Sequence, residues 1–154
     1  LYEGRDAYNL IDADISYYFE ELRSDYEGAY LGMYFLEFTE YCTRENNDDV
    51  LMLKLLFQSI RAIIKPNINN DLVRAVFEIK AVAVNGEYPG VPVGKEFLPS
   101  TLHALNHIID SNIEHLYTFA VNDEVLTELK SLALTYRKRF VDRPLKSLEI
   151  IDTV

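Results

Sequence analysis

Few side chains in this sequence are placed to carry out catalysis or to bind a metal. His103 and His107 are four residues apart, so a helix would present both on the same side. A metalloprotease helix would need H-E-x-x-H, and a di-iron bundle would need a Glu three residues before a His. Neither pattern occurs. We therefore expect surface or hydrogen-bonded histidines and no metal site.

Nucleophilic and phosphate-binding motifs are also missing from the sequence. Cys42 is the only cysteine, so there is no internal disulfide and no thiolate cluster, which is typical of a cytosolic protein. No Gly-rich phosphate loop and no G-x-S-x-G is present. Glu37 lies among apolar residues, and we interpret it as a structural carboxylate that ties helices together. The sequence predicts neither an enzyme nor a cofactor.

Basic residues form two groups that could bind an anionic partner. Lys54, Arg61 and Lys65 lie at i, i+7 and i+11 of one predicted helix, which makes a stripe. Such a stripe is usually a solvated face, and anion recognition is the alternative. The second group lies at the end of a later helix, where it would offset the helix dipole or bind DNA or another anion: Arg137, Lys138, Arg139, Arg143 and Lys146.

The net charge of −10 is concentrated at the start of the chain, where residues 1–49 hold 13 acids and 3 bases. A net acidic domain binds nucleic acid poorly on its own, because Lys and Arg supply most non-specific affinity. Eight of the eleven tyrosines also precede residue 50. They fill helix contacts or, alternatively, form a patch that faces a partner.

The pattern of apolar residues predicts an all-α fold in a single domain. The length of 154 residues fits one domain, and the apolar fraction of 49% fits a globular core. No apolar run approaches 18 residues, so we expect no membrane span. Spacing of three and four residues predicts a bundle of about six to eight helices, the main ones over residues 12–22, 26–44, 50–64, 71–85, 100–110 and 123–140. In the third of these, the residues expected to face inward are Leu53, Leu56, Phe57, Ile60 and Ile63 or Ile64.

The helix over about 71–85 is apolar on almost every side, so it must be buried at the centre of the bundle. Arg74 and Glu78 are four residues apart and can form an ion pair. Lys80 has mainly apolar helical neighbours. Its ammonium group either reaches water along the apolar surface or lies at the edge of a groove that takes an anion.

Three short motifs, in this order, resemble the C-terminal helical domain of RecO, the bacterial recombination mediator. They are Leu-Arg-Ser-Asp at 22–25, Phe-Glu-Ile-Lys at 77–80 followed by Gly86 and Tyr-Pro at 88–89, and Arg-Pro-Leu-Lys-Ser at 143–147. The resemblance extends from Ile11 to Ile151. Many RecO proteins carry a C-x-x-C…C-x-x-C zinc insert after the second motif. Here the loop over 86–99 has no cysteine, so no cysteine zinc site is expected.

The resemblance implies a domain organisation and a function. Residues 1–10 would be a linker from a missing N-terminal oligonucleotide-binding fold, and residues 11–154 the helical domain. The protein would be a cytoplasmic mediator in DNA repair. It would engage single-strand-binding protein and RecR, promote strand annealing and help to load the recombinase. Single-stranded DNA would be bound mainly through the missing domain.

The helical domain of RecO is also a docking surface for the acidic, apolar tail of single-strand-binding protein. An exposed salt bridge contributes only about 0–1 kcal/mol, whereas one buried large apolar side chain contributes about 1.5–3 kcal/mol. A useful site therefore needs a groove with basic residues at its rim. The candidates are Lys54, Arg61, Lys65, Arg74 and Lys80. The alternative is an all-α ligand-binding or dimerisation module of a regulator, which a large enclosed apolar cavity would favour.

Overall fold

A computed structural model describes residues 2–3, 8–9, 12–14, 18–43 and 48–153. Two short antiparallel strands, β1 and β2, are followed by a 3-10 turn, three α-helices, and then α4 to α6 with a second 3-10 turn after α4. This arrangement confirms the helical fold class. The elements are β1 (Tyr2–Glu3), β2 (Tyr8–Asn9), the turn Glu20–Arg23, α1 (Tyr26–Cys42), α2 (Val50–Ile63), α3 (Asn70–Val84), α4 (Pro99–Asp110), the turn Ile113–His115, α5 (Asp123–Phe140) and α6 (Lys146–Ile151).

Helix α3 lies at the centre of the bundle, as its sequence predicts. It contacts α2 and α1 as well as α4 and α5. Every residue from 72 to 82 except Arg74 is buried. The Phe77 ring stacks on Phe35 of α1 with ring centroids 4.0 Å apart, and it meets Phe38 edge-on at 5.5 Å. A helix that is apolar all round is therefore covered by other helices all round.

Side chains that cap helices set the starts of three helices. The Asp25 carboxylate accepts a hydrogen bond from the Gly28 N–H at 2.9 Å at the start of α1. Asn69 caps α3 through the Asp71 N–H at 2.7 Å. Asn122 caps α5 through the N–H of Val125 at 2.9 Å. Each cap satisfies a backbone donor that the helix itself leaves unpaired.

The prediction of a helix that begins at Asp12 is wrong. Residues 12–14 and 18–19 have no regular secondary structure, and Glu20–Arg23 forms a single 3-10 turn. Phe19 has a φ of 51°, a left-handed conformation that no α-helix can contain. Ile11 and Ile15, on which the prediction partly rested, lie outside the described residues. A short segment does not stay helical without a face to pack, and here the turn contributes only a half-buried Leu22 to the core.

The predicted inward face of α2 is right at Ile63, which is buried, and partly right at Leu56, but it is wrong at Leu53 and Phe57. Leu53 is 57% exposed and Phe57 is 42% exposed. Helix α2 is apolar on two sides, so the spacing of its residues alone could not select the buried side. The small Ser59 is fully buried and its hydroxyl lies 2.5 Å from the Tyr117 hydroxyl. The residues that face inward are Met52, Leu55, Ser59, Ala62 and Ile63.

Glu37 joins α1 to α6. Its carboxylate accepts hydrogen bonds from the backbone N–H groups of Lys146 and Ser147, each at 2.8 Å, and from the Ser147 hydroxyl. Partial burial opposes ionisation, but these hydrogen bonds together hold the pKa of Glu37 below its ordinary value. The prediction of a structural carboxylate is confirmed. Among the described residues, no helix has both the length and the apolar character needed to cross a membrane.

Candidate partner-binding site

Lys80 does not extend into water, which was the first of the two arrangements that its sequence suggested. Its side chain is buried, and its Nζ donates hydrogen bonds to the backbone carbonyls of Ile109, at 2.9 Å, and Ser111, at 2.8 Å. These carbonyls lie at the C-terminal end of α4, where a helix lacks its own donors. Burial lowers the pKa of Lys80, and Asp110 acts in the opposite direction. Lys80 therefore ties α3 to the end of α4.

Two adjoining depressions meet at Lys80 and form what we call the Lys80 groove. Their volumes are about 320 and 460 Å³. Leu51 of α2 and Val84 of α3 line both of them, together with Lys80. The first is completed by Lys54, Ser111, Asn112, Ile113 and Glu114, and the second by Ala83, Gly86, Tyr88 and Ile109. The Lys80 groove thus combines apolar walls with two ammonium groups.

Lys54 lies at the rim of the Lys80 groove beside an acid that its own helix does not supply. Its Nζ is 3.5 Å from Oε1 of Glu114, and both side chains are about half exposed. Helix α2 carries no acid on this stripe, and the turn after α4 is what brings Glu114 close to Lys54. An exposed ion pair of this length contributes little to the stability of the fold.

Arg61 and Lys65 are exposed, as expected, but they lie away from the Lys80 groove. The Arg61 guanidinium lies over the Phe57 ring, 5.7 Å from its centroid. Lys65 lines a different depression together with the acids Asp25, Glu27 and Asp71. The stripe on α2 therefore runs from the groove towards an acidic region, and Lys54 is its member at the groove.

Arg74 is separated from Lys80, contrary to the expectation that both belong to one neighbourhood. Six residues along a helix turn the side chain to the other side. The Arg74 Nε is 2.9 Å from Oε1 of Glu78, which confirms the predicted pair. A terminal nitrogen of Arg74 also lies 3.3 Å from Oδ1 of Asp152. Arg74 is therefore held between two acids of its own chain.

Arg137 is not part of an exposed basic surface. It is buried, and its guanidinium lies 3.0 Å from Oε2 of Glu78. Glu78 therefore receives Arg74 on one oxygen and Arg137 on the other; burial raises its pKa and the two guanidinium groups oppose that rise. The prediction that Arg137 binds DNA or another anion is wrong, because this arginine neutralises a buried carboxylate.

The other four members of the second basic group lie on the surface. Lys138, Arg139, Arg143 and Lys146 are all exposed. The Arg143 guanidinium lies over the Tyr41 ring, 5.2 Å from its centroid. Their binding of an anion remains a prediction.

The two histidines of α4 have different surroundings. His103 is exposed. The Nδ1 of His107 is 3.2 Å from the Ser111 hydroxyl oxygen, and its ring meets Phe119 edge-on at 4.8 Å. Within the described ranges, no three side chains of the His, Cys, Asp or Glu types come together as a metal site would need.

The apolar walls of the Lys80 groove were not recognised from the sequence. Leu51 and Val84 line it, but both read as ordinary core positions of apolar helices. The one available signal was that α2 carries more apolar residues than a single buried face needs. Leu51, which is 54% exposed, is one of the surplus residues.

Comparison with known proteins finds similarity to one family over part of the chain. Residues 23–92 match the family model described as Recombination protein O C terminal. The whole chain is also similar to the DNA repair protein RecO of Acetivibrio thermocellus, with 22% identity over 186 residues that cover 74% of that relative. The resemblance to RecO is confirmed. No solved structure matches the chain.

The RecO family match covers α1, α2 and α3 together with the start of the following loop. It therefore includes Leu51, Lys54, Lys80, Val84 and Tyr88 of the Lys80 groove. The four exposed basic residues in the last turn of α5 and beyond it lie outside the match to the family model. The span aligned with the A. thermocellus RecO is longer than this chain, so that relative carries additional residues inside the matched region.

Proposed function

We propose that this chain is the helical domain of a RecO-like mediator of DNA repair and recombination, and that its Lys80 groove docks the acidic, apolar tail of single-strand-binding protein. The similarity to RecO supports the role in repair. The observation that carries the assignment of the groove is the placement of two lysines among the apolar side chains of Leu51 and Val84.

The chemistry of the groove fits a segment that is both acidic and apolar. An ammonium group has three N–H donors, and Lys80 uses two of them on the carbonyls of Ile109 and Ser111. The third donor remains for a carboxylate. One large side chain buried against Leu51, Val84 and Tyr88 would contribute about 1.5–3 kcal/mol. The apolar anchor thus supplies affinity, and Lys80 and Lys54 fix the orientation.

The overall charge of the chain makes an apolar anchor necessary. The net charge of −10 repels an acidic tail at long range. Salt weakens this repulsion as well as the attraction to exposed lysines. Binding that depends on a buried apolar side chain should therefore persist at physiological salt.

The remaining parts of the mediator role extend this proposal. Residues 11–154 would form the helical domain, and residues 1–10 would lead from an oligonucleotide-binding domain that carries most of the affinity for single-stranded DNA. Lys138, Arg139, Arg143 and Lys146 would add local phosphate contacts. Binding of RecR, strand annealing and recombinase loading would complete the cycle. The match to RecO is the support for each of them.

Fluorescence anisotropy with a labelled peptide tests the docking directly. The peptide should end in several acidic residues followed by a large apolar residue, and a control peptide should carry Ser in place of the apolar one. We expect saturable binding that persists from low to physiological salt and is lost with the Ser peptide. Equal binding of both peptides, or no binding of either, would contradict the proposal.

A further inference from the structure

A cavity of about 430 Å³ lies between α3 and α5, and we call it the Arg74 cavity. It shares no lining residue with the Lys80 groove. Part of its wall is apolar, from Ala75, Ala133 and Leu134. The charged side chains that line it are Asp71, Arg74 and Glu78 of α3, Lys130 and Arg137 of α5, and Asp152, which follows α6. Its size is within the range of about 300–1,000 Å³ that is usual for small-molecule sites.

The buried charges of the Arg74 cavity leave one positive charge in excess. Glu78 is buried, and its two oxygens pair with Arg74 at 2.9 Å and with Arg137 at 3.0 Å. One carboxylate neutralises only one of these two guanidinium groups. Lys130 and Asp71 form a separate, half-exposed pair at 3.0 Å, which adds no net charge. The two arginines therefore need a second anion.

Asp152 provides this second anion among the described residues, and it does so in a weak geometry. Its Oδ1 lies 3.3 Å from each of the two terminal nitrogens of Arg74. The strong arrangement of a guanidinium group uses two parallel N–H donors on two separate oxygens, at about 2.7–2.9 Å. Here one oxygen serves both donors at a longer distance, and the Asp152 side chain is 55% exposed. Such a contact contributes little to stability, so an oxyanion with better geometry can compete for Arg74.

We propose that the Arg74 cavity binds a small organic oxyanion, which carries one phosphate or carboxylate group and takes the place of Asp152 on Arg74. The six charged side chains of the lining sum to zero when Asp152 is present and to one positive charge when it leaves, so a bound anion restores neutrality. Lys130 adds a half-exposed ammonium group to the same cavity. The organic part of the ligand packs on the apolar part of the wall.

The overall charge of the chain selects a small ligand. A net charge of −10 opposes an extended polyanion such as a nucleic acid strand, whereas a single anionic group needs only a local positive site. The exchange changes the surroundings at the end of α6. Its start stays held by Glu37, which accepts hydrogen bonds from the backbone N–H groups of Lys146 and Ser147. This inference is independent of the docking proposed for the Lys80 groove.

Two-dimensional ¹H–¹⁵N NMR of the labelled chain tests the site. Inorganic phosphate and, separately, acetate are titrated at constant ionic strength. We expect saturable shifts of the Arg74 side-chain Nε–H signal and of the backbone N–H signals of Asp152 and Thr153. Saturation by phosphate alone would assign a phosphate-bearing ligand, and saturation by acetate alone a carboxylate. Absence of a saturable shift at Arg74 with both anions would overturn the proposal.

Three variants test the exchange with Asp152, using the anion that binds. Asp152→Asn should lower the dissociation constant by about fivefold or more, because the competing carboxylate is gone. Lys130→Gln should raise it by a similar factor, because a cation of the cavity is lost. Glu149→Gln removes an exposed acid from α6 and is the matched control, which should bind like the unaltered chain. Equal dissociation constants for Asp152→Asn and Glu149→Gln would contradict the exchange.

Discussion

Lys80 donates a hydrogen bond to the backbone carbonyl of Ser111 at 2.8 Å, so the central helix α3 is tied directly to the residue that follows α4. A second bond, to the Ile109 carbonyl, lies beside it. A cation at a helix C-terminus also interacts favourably with the helix dipole. One side chain therefore both holds α4 in place and brings a positive charge to the Lys80 groove.

Lys80→Met should lower the free energy of unfolding by about 1–3 kcal/mol, because two part-buried carbonyls lose their donor. Lys54→Met, at the exposed rim of the same groove, should change it by no more than about 0.5 kcal/mol. Urea unfolding followed by circular dichroism measures both values. Equal effects of the two variants would contradict the structural role of Lys80.

Arg137→Met should destabilise the fold by about 3–5 kcal/mol, because it removes one partner of the buried carboxylate of Glu78. Lys138→Met is the matched control, since it removes the next basic residue along the chain from an exposed position. Its effect should lie within about 0.5 kcal/mol. Chemical denaturation measures the free energy of unfolding of both variants. An Arg137→Met protein as stable as Lys138→Met would show that Arg137 is not the partner of Glu78.

Sequence reasoning succeeded where local chemistry determines structure. The burial of α3 and the pairing of Arg74 with Glu78 follow from residue type and spacing alone. It failed at Phe19, whose left-handed conformation ends a pattern that reads as helical. It also failed at Leu53 and Phe57, because α2 has two apolar sides and only packing against α3 selects between them.

In the candidate site, too, local features could be predicted from the sequence and long-range contacts could not. Exposure of Lys54 and Arg61 could be anticipated from the polar stripe on α2. The partners of Arg137 and Lys80 could not be anticipated, because they are distant along the chain. Arg137 pairs with Glu78, and Lys80 binds the end of α4. Long-range pairing of buried charges is a property of the assembled bundle, not of any single helix.

Glu37 makes stability depend on pH in a defined direction. Its folded pKa is lower than the ordinary value of 4.5, so its contribution is present above that value and is lost as the pH falls through the folded pKa. Glu37→Gln should therefore cost about 1–2 kcal/mol at neutral pH and progressively less as the pH falls below about 4. Chemical denaturation at a series of pH values measures this cost, and Glu40→Gln, an exposed position on the same helix, is the control. A cost for Glu37→Gln that does not vary with pH would contradict this assignment.

The exposed basic residues in the last turn of α5 and beyond it should give weak, salt-dependent binding to single-stranded DNA. Each lost phosphate contact lowers the slope of log K against log salt by about 0.7. Replacing Lys138 and Arg139 by Ser should therefore lower the slope by about 1.4. Lys54→Ser with Arg61→Ser removes the same charge from α2 and should leave the slope nearly unchanged. If the α2 variant lowered the slope and the variant at Lys138 and Arg139 did not, the phosphate contacts would be made by α2 instead.

The position of the tail in the Lys80 groove is tested most directly by two substitutions on α2 that introduce the same charge. Leu51 and Leu53 are similarly exposed, but Leu51 lines the Lys80 groove and Leu53 lies on the other side of the helix. Titration of the labelled acidic peptide should give a dissociation constant at least tenfold higher for Leu51→Glu than for the unaltered chain. The reason is that about 1.5–3 kcal/mol of apolar burial is lost. Leu53→Glu should bind like the unaltered chain. Equal affinities of the two variants would contradict docking in this groove.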